Sequence, residues 1–262
     1  MKFKKKKLIS LGTFLVVVLL TSFAGYSLAG SNENVTLTNS PALFLSVRNG
    51  YNGGEKGPIQ IVKGTLKKSS NDTKEAYLIM LSGTEFVNGQ ATGIVTDLMV
   101  GFNQDNDYLK AVVSAVSEAV PKDSNLIIAG HSLGGMVAQQ LSGNKTIKKN
   151  YNILNVIAFG SPLINPIGRE GTIKRLGDKA DLVPYLSASG LYLPIWQIVG
   201  LNREDGGYTD SKKAHSESYA REDVWGNYDV LGIKNGSASF SYDETTITYY
   251  KAPSSIFPDS NY

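Results

Sequence analysis

Apolar and polar positions divide the chain into strand-like and helix-like segments. Residues 59–66 alternate between apolar and polar as a half-buried strand does, and residues 76–81 form a continuous apolar run typical of a buried strand. We expect both segments in one sheet. Three more short apolar segments also predict strands, and these are residues 126–129, 155–159 and 172–176.

Two other segments have the spacing of helices. In residues 103–120 apolar side chains recur every three or four positions, with Asp105 as the predicted N-cap and Pro121 at the end. Residues 133–141 are compatible with a second helix. Strands that alternate with helices predict an α/β fold, with a mostly parallel central sheet and helices on both faces. In such sheets the functional residues lie beyond the carboxyl ends of the strands.

The N-terminus is organised like a secretory signal peptide. Five lysines precede an apolar run over residues 8–20, and Ala29 ends a small-residue cleavage site. Residues 1–29 are therefore predicted to be a signal peptide, with cleavage after Ala24 as an alternative. An uncleaved membrane anchor is the other alternative, because residues 8–28 almost reach the length of a membrane-spanning helix. The pattern favours a protein secreted by a bacterium.

The composition of the remaining chain excludes several classes of function. Removal of residues 1–29 lowers the formal net charge from +3 to −2, which leaves no basic surface for nucleic acid. The sequence has no cysteine, so a cysteine nucleophile and a thiolate metal site are excluded. We predict neither a cofactor nor a metal, because no phosphate loop or metal-ligand pattern occurs. Residues 30–40 are polar and predict a flexible leader before a single domain over residues 41–262.

A candidate nucleophile lies between a predicted strand and a predicted helix. The sequence Gly130-His131-Ser132-Leu133-Gly134 fits the pattern G-x-S-x-G, which alone is a weak signal in a glycine-rich chain. Its position gives it weight, because a nucleophile elbow needs a strand before it, a helix after it and glycines beside the serine. Ser132 is the predicted nucleophile. The backbone N–H of Leu133, at a helix N-terminus, is predicted to stabilise an oxyanion.

The base must be a histidine, because a serine hydroxyl needs a base whose pKa lies near the working pH. The sequence contains two, His131 and His215. His131 is adjacent to Ser132, so we expect its side chain to point away from the serine hydroxyl and to pack in the core. His215 is therefore the predicted base.

The third catalytic group must be a carboxylate between Ser132 and His215 in the chain, because it has to orient the imidazole and stabilise its charged form. Asp181 is favoured, since it follows the predicted strand 172–176 and precedes Pro184. Asp178 is the second candidate. The remaining carboxylates that qualify by position are Glu170, Glu204, Asp205 and Asp210.

A series of short motifs runs along residues 59–219. In chain order they are Ser82-Gly83-Thr84, Thr96-Asp97-Leu98, Gly101-Phe102, Gly130-His131-Ser132-Leu133-Gly134-Gly135, Phe159-Gly160-Ser161-Pro162, Asp181-Leu182-Val183-Pro184, and His215 followed by Tyr219. This series resembles the class 3 lipases, the fungal-lipase-like branch of the α/β-hydrolases. The resemblance implies an α/β-hydrolase fold.

The resemblance also implies roles for residues before the elbow. Thr84 takes the position whose backbone N–H completes the oxyanion hole together with the Leu133 N–H, and Asp97 falls where the family has an aspartate that steadies the Thr84 hydroxyl. Residues 85–104 correspond to a lid whose apolar side chains meet lipid, although packing in the core is as good an interpretation for residues 98–102.

Three positions depart from the pattern of this family. Ser82 stands where an arginine is usual, Gly93-Ile94 stand near the place of a lid tryptophan, and Met136 replaces an alanine after the elbow. The first two changes bear on how the lid behaves. The third is expected to alter packing more than chemistry.

Together these features predict a secreted serine hydrolase that cleaves carboxylic esters of lipids, similar to a triacylglycerol lipase. A phospholipase A1 and a short-chain carboxylesterase are alternatives that use the same residues. An alternative of another class is a non-catalytic surface or binding protein on a hydrolase scaffold. The expected partners are a lipid or ester substrate and, through residues 85–104, a transient contact with a lipid interface. The sequence does not indicate an oligomeric state.

Overall fold

The computed structural model describes residues 34–51, 56–83, 106–164, 167–186 and 200–252. The strands are β1 (Asn34–Leu37), β2 (Ile59–Ser69), β3 (Asp72–Leu81), β4 (Asn125–His131), β5 (Asn152–Phe159), β6 (Thr172–Asp178), β7 (Leu201–Glu204), β8 (Ser239–Asp243) and β9 (Thr248–Tyr250). The α-helices are α1 (Ser40–Arg48), α2 (Asp107–Ala119), α3 (Leu133–Leu141), α4 (Lys145–Asn150), α5 (Ser211–Glu217) and α6 (Glu222–Trp225). Short 3-10 helices cover Val183–Tyr185, Ser218–Ala220 and Glu244–Thr246.

All of these strands belong to one sheet in the order β1-β8-β2-β3-β4-β5-β6-β7, and β9 pairs with β2. The four strand pairs from β3–β4 to β6–β7 are parallel. The pairings of β2 with β3, β8 and β9, and of β1 with β8, are antiparallel. The five predicted strands correspond to β2 to β6. The predicted α/β fold with a mostly parallel central sheet is therefore confirmed.

The two faces of the sheet are covered by different helices. Ile79 and Leu81 of β3 belong to a core cluster that includes the apolar side chains of α2, α3 and α4. Leu78 and Met80, the alternate residues of the same strand, pack in a second cluster with side chains of α1 and α6. Because β3 is buried on both faces, its sequence is a continuous apolar run, as central parallel strands require. The carboxyl ends of β3 to β6 lie at one edge of the sheet, where chemistry is expected.

The start of α2 differs from the one that the sequence pattern predicted. The helix predicted over residues 103–120 has Asn106 as its N-cap, and not Asp105, which lies outside the described residues. The Asn106 side chain accepts a hydrogen bond of 2.8 Å from the Leu109 N–H and donates one of 2.9 Å to the Gln140 side chain. The cap therefore also ties α2 to α3. A sequence pattern shows possible caps but not this tertiary contact.

Residues 34–40, predicted to be part of a flexible leader, are ordered at the sheet edge. Asn34 to Leu37 form β1, which pairs with β8, and the side chain of Leu37 is buried. Asn39 then caps α1 by accepting a hydrogen bond from the Ala42 N–H. A four-residue edge strand contains too few apolar positions for its alternation to be recognised.

The described residues from Asn34 to Ala252 belong to one compact unit. In the described part of the chain, no helix combines the length and the hydropathy that a membrane crossing needs. The predicted signal peptide and its cleavage sites lie outside the described residues.

Candidate active site

Ser132 occupies a strained turn between β4 and α3. Its backbone angles are φ 56° and ψ −122°, a region that a residue with a side chain rarely adopts and that is found at functional sites. The Ser132 N–H donates a hydrogen bond of 3.0 Å to the Phe159 carbonyl at the end of β5. The Ser132 carbonyl accepts from the Met136 N–H within α3. Backbone bonds on both sides therefore hold the turn in the geometry of a nucleophile elbow.

Gly134 allows this turn to pack against the end of β3. A Cβ atom at Gly134 would lie only 2.1 Å from the Leu81 carbonyl oxygen, so no larger residue fits there. The close approach brings the segment after β3 beside the nucleophile, since a Cβ at Gly83 would lie 2.9 Å from the Ser132 Cβ. The next residue, Thr84, is the predicted oxyanion donor. It lies outside the described residues, and so do Asp97 and the lid segment 85–104.

The second predicted oxyanion donor is the N–H of Leu133, which is the first residue of α3. The backbone N–H groups of a helix's first turn have no partner within the helix, and the helix dipole gives this end a partial positive charge. The Leu133 side chain packs in the core, which fixes the helix start. This end of the helix therefore has the partial charge that the predicted oxyanion site needs.

Asp181 and His215 form a buried hydrogen-bonded pair. The His215 Nδ1 atom lies 2.9 Å from the Asp181 Oδ2 atom, and the two side chains are 1% and 0% exposed. Asp181 follows β6, and its other oxygen, Oδ1, accepts a hydrogen bond of 2.9 Å from the Val183 N–H. His215 lies in α5. The hydrogen bond at Nδ1 fixes the orientation of the ring, as the predicted role of His215 as a base requires.

The other carboxylates between Ser132 and His215 have different partners or positions. Asp178, the second candidate, accepts hydrogen bonds from the Ala180 and Gly206 N–H groups and from the Ser218 hydroxyl. Glu204 bonds to Tyr228 and Lys234, Asp205 contacts Lys179, Asp210 caps α5, and the side chain of Glu170 is exposed. The structure therefore brings Asp181, and not Asp178, to His215.

The Asp181–His215 pair lies directly beside the end of β5. Gly160 has a φ of +53°, and a Cβ atom there would lie 2.8 Å from Asp181 Oδ2 and 2.9 Å from His215 Nδ1. The preceding residue, Phe159, accepts the hydrogen bond from the Ser132 N–H. The dipeptide at the end of β5 therefore touches both the serine turn and the acid–base pair, and it brings the three predicted catalytic residues together at one edge of the sheet.

Residues 81–217 match the model of the family described as the PGAP1-like alpha/beta domain. This match spans slightly more than half of the 262 residues and includes Ser132, Asp181 and His215. The chain belongs to the PGAP1-like alpha/beta domain family. The family places it among the lipase-like α/β-hydrolases, and the narrower resemblance to class 3 lipases stays a prediction. No curated protein and no solved structure matches the chain.

Tyr219, which the sequence motifs contained without an assigned role, contacts the predicted acid of the PGAP1-like domain, Asp181. The Tyr219 hydroxyl donates a hydrogen bond of 2.5 Å to Asp181 Oδ2, the same oxygen that faces His215. The Tyr219 oxygen in turn lies 3.2 Å from the Asp178 N–H, which donates to it. Burial and the nearby Asp181 carboxylate raise the pKa of Tyr219 well above 10, so this hydroxyl keeps its proton.

The first histidine of the PGAP1-like domain has polar contacts that sequence reasoning missed. His131 is 4% exposed, as its predicted packing role required, but both of its ring nitrogens have partners. Nδ1 lies 2.7 Å from the Tyr51 hydroxyl, and Nε2 lies 3.0 Å from the His215 backbone carbonyl. Burial and the neighbouring His215 imidazole lower the pKa of His131 well below 6.5. Tyr51 has no motif around it, so no sequence signal pointed to this contact.

Within the described part of the PGAP1-like domain, His, Asp and Glu side chains do not gather in any group of three or more that could hold a metal ion. Ser132 and the hydrogen-bonded Asp181–His215 pair lie at this edge of the sheet instead.

Proposed function

We propose that this domain is a serine hydrolase that cleaves carboxylic esters through an acyl-enzyme on Ser132. The observation that carries the proposal is the buried Asp181–His215 hydrogen bond beside a serine held at a positive φ. A strained turn costs free energy, which the surrounding backbone bonds offset, and such strain concentrates at functional sites. A core with only a structural purpose has no need of this combination.

In each half of the proposed reaction His215 acts first as a base and then as an acid. The Ser132 Oγ attacks the carbonyl carbon of the ester while His215 Nε2 takes its proton, and the carbonyl oxygen becomes an oxyanion. His215 then returns the proton to the departing alcohol as the C–O bond breaks. Water attacks the acyl-enzyme while His215 takes its proton, and His215 then returns this proton to the Ser132 oxygen as the bond to the acyl carbon breaks and the carboxylic acid leaves.

The backbone and the acid stabilise the charges of this reaction. The Leu133 N–H at the start of α3, together with the Thr84 N–H, binds the oxyanion, and each such donor contributes about 3–4 kcal/mol to the transition state. Asp181 holds the His215 imidazole and stabilises its positive charge. Because the Tyr219 hydroxyl and the Val183 N–H donate to the same carboxylate, Asp181 is fixed in place before substrate arrives.

Two observations favour a lipid ester as the substrate. The segment 85–104, which joins β3 to α2 and resembles a lipase lid, contains apolar residues such as Phe86, Val87 and Ile94. Leu182, next to the acid, is a large apolar side chain with 53% of its surface exposed. The first is an apolar segment that follows Thr84 in the sequence, and the second is an exposed apolar side chain that follows Asp181; both suit the binding of an acyl chain. The signal-like residues 1–29 favour action outside the cell.

A series of esters tests both the chemistry and the substrate class. The purified protein is assayed on p-nitrophenyl esters from acetate to palmitate, on emulsified triacylglycerol and on phosphatidylcholine vesicles, with Ser132→Ala as control. The proposal expects hydrolysis that is lost in Ser132→Ala and that increases with chain length at a lipid interface. A preference for short soluble esters would replace the lipid substrate with a carboxylesterase substrate. A folded protein without activity on any ester would instead support a binding protein on a hydrolase scaffold.

A further inference from the structure

A chain of hydrogen bonds connects the end of β3 to the backbone of His215. The Gly83 N–H donates a hydrogen bond of 2.8 Å to the Tyr51 hydroxyl, and this hydroxyl lies 2.7 Å from His131 Nδ1. His131 Nε2 lies 3.0 Å from the His215 carbonyl oxygen. This series of hydrogen bonds joins the segment before Thr84, the residue before Ser132 and the predicted base.

The proton positions along this chain follow from the partners at its two ends. A backbone carbonyl only accepts, so Nε2 of His131 carries a proton and donates it to the His215 carbonyl. In a neutral imidazole the other nitrogen, Nδ1, must then accept, and the Tyr51 hydroxyl donates to it. Burial and the neighbouring His215 imidazole lower the pKa of His131, which keeps the ring neutral. The chain therefore fixes one tautomer of His131.

The ring of His131 is also held on its faces and edges. Its centroid lies 4.5 Å from that of His215, with 34° between the two planes. Phe44 of α1 meets the ring edge-on at 5.2 Å and 87°. Because both nitrogens have hydrogen-bond partners and the ring packs against Phe44 and His215, His131 forms a rigid support for the His215 imidazole.

We propose that His131 is a positioning residue for the base, which acts by donating its Nε2 proton to the His215 backbone carbonyl while the Tyr51 hydroxyl donates to Nδ1 of the same tautomer. This inference rests on the proposed function, since it assumes that His215 is the base. The hydrogen bond from His131 reaches the backbone of His215, so this residue acts through the base and not on the substrate. Its contribution is to hold the His215 backbone, and with it the imidazole, where proton transfer from Ser132 is in line; small misplacements of a catalytic group are costly.

Substitutions of His131 by glutamine and asparagine distinguish a hydrogen-bonding role of this residue from a role in packing alone. The amide nitrogen of glutamine reaches the place of histidine Nε2, so His131→Gln keeps the donor to the His215 carbonyl but loses the acceptor for Tyr51. The side chain of asparagine is shorter and its oxygen lies near the place of Nδ1, so His131→Asn keeps the acceptor and loses the donor. His131→Phe keeps a ring of similar shape and loses both hydrogen bonds.

Steady-state kinetics on a soluble ester test how the three His131 variants rank in kcat. We expect His131→Asn and His131→Phe to lower kcat about 10- to 100-fold with KM changed less than about threefold, because positioning of the base acts on the transition state. His131→Gln should retain kcat within about fivefold of the wild type. Equal kcat losses in all three variants, or losses that follow the melting temperature instead of the donor, would overturn the proposal.

A second measurement observes the tautomer directly in the wild-type protein. Nitrogen-15 NMR of the wild-type protein, with His131→Gln used to assign the signals, reports which ring nitrogen carries the proton. The proposal expects a neutral His131 with its proton on Nε2 at neutral pH. A proton on Nδ1 would overturn it.

The Ser132→Ala variant in the same kinetic assay keeps the two proposals distinguishable. Activity that is lost in Ser132→Ala supports the ester hydrolase, and the His131 series then decides the positioning role alone. Activity that survives in Ser132→Ala overturns the proposed function and, with it, the positioning role. Tyr51→Phe is expected to lower kcat less than His131→Asn does, because the ring keeps its donor to His215.

Discussion

The backbone N–H of Asp181 donates a hydrogen bond of 3.1 Å to the Asp178 carbonyl, yet the carboxylates of the two residues face different partners. The Asp178 carboxylate is buried and accepts hydrogen bonds from Ala180, Gly206 and Ser218. The Asp181 carboxylate accepts from His215 instead. One turn after β6 therefore holds a carboxylate that organises loops and another that faces the base.

The two aspartates should respond differently to the same substitution. We expect Asp181→Asn to lower kcat about 10⁴-fold, because an amide no longer holds the required imidazole tautomer or stabilises its charge. Asp178→Asn should lower kcat less than about tenfold and cost about 2 kcal/mol of stability, since an amide nitrogen cannot accept from the groups around it. Ester kinetics and thermal melting of both variants measure the two effects. The reverse pattern would make Asp178 the acid.

Removal of the Tyr219 hydroxyl should weaken the acid without abolishing it. In Tyr219→Phe the Asp181 carboxylate loses a buried hydrogen bond but keeps those from His215 and Val183. A hydrogen bond to a charged group contributes about 1.5–3 kcal/mol, so we expect kcat/KM to fall roughly 10- to 100-fold if most of this acts on the reaction. Kinetics of the variant, with its melting temperature as control, measure this. An unchanged kcat/KM would show that Tyr219 supports the fold alone.

A methyl group at Gly160 should disrupt the site more than the fold. The added Cβ would lie 2.8 Å from Asp181 Oδ2 and 2.9 Å from His215 Nδ1. Gly207 provides a matched control, because it also has a positive φ, of +72°, but no atom lies within 4 Å of its added Cβ. Both alanine variants should lose about 1 kcal/mol of stability or more from the backbone. Only Gly160→Ala should lose most of its ester hydrolysis, and a similar loss in Gly207→Ala would contradict this reasoning.

The buried His131 should make the folded state sensitive to acid. Its pKa is well below 6.5 in the folded protein, so below about pH 6.5 the unfolded chain binds a proton at this residue that the folded protein does not. The contribution of His131 to the free energy of unfolding is therefore complete above about pH 6.5. It decreases as the pH falls below this value, by up to about 1.4 kcal/mol per pH unit.

Urea unfolding at two pH values measures this effect. The difference in the free energy of unfolding between about pH 7 and about pH 5 should be smaller in His131→Phe than in the wild type, because the variant has no group to protonate there. An identical difference in the two proteins would show that His131 does not contribute.

Local patterns in the sequence predicted the central part of the fold. The helix at residues 133–141 coincides with α3, and the strand predictions lie within β2 to β6, because long apolar runs and helical spacing are strong signals. Ser132, Asp181 and His215 were found because the chemistry restricts each residue type and the motifs fix their order. Their catalytic roles stay predictions.

The features that the sequence did not indicate are long-range contacts. Asn106 caps α2 in part because it also bonds to Gln140, and Tyr51 reaches His131 across 80 positions of the chain. The edge strand β1 is ordered by its pairing with β8. None of these contacts leaves a periodic or motif-like signal, because each depends on how distant segments meet in the folded chain.

Covalent labelling of Ser132 decides whether this site contains an activated nucleophile. The purified protein is treated with a fluorophosphonate, and the modified residue is identified by peptide mass spectrometry in the wild type, Ser132→Ala and His215→Asn. We expect a single adduct on Ser132 in the wild type, none in Ser132→Ala, and labelling at least about 10³-fold slower in His215→Asn, since the base activates the hydroxyl. An unlabelled Ser132 in the folded wild type, or equal labelling rates with and without His215, would contradict the proposed hydrolase.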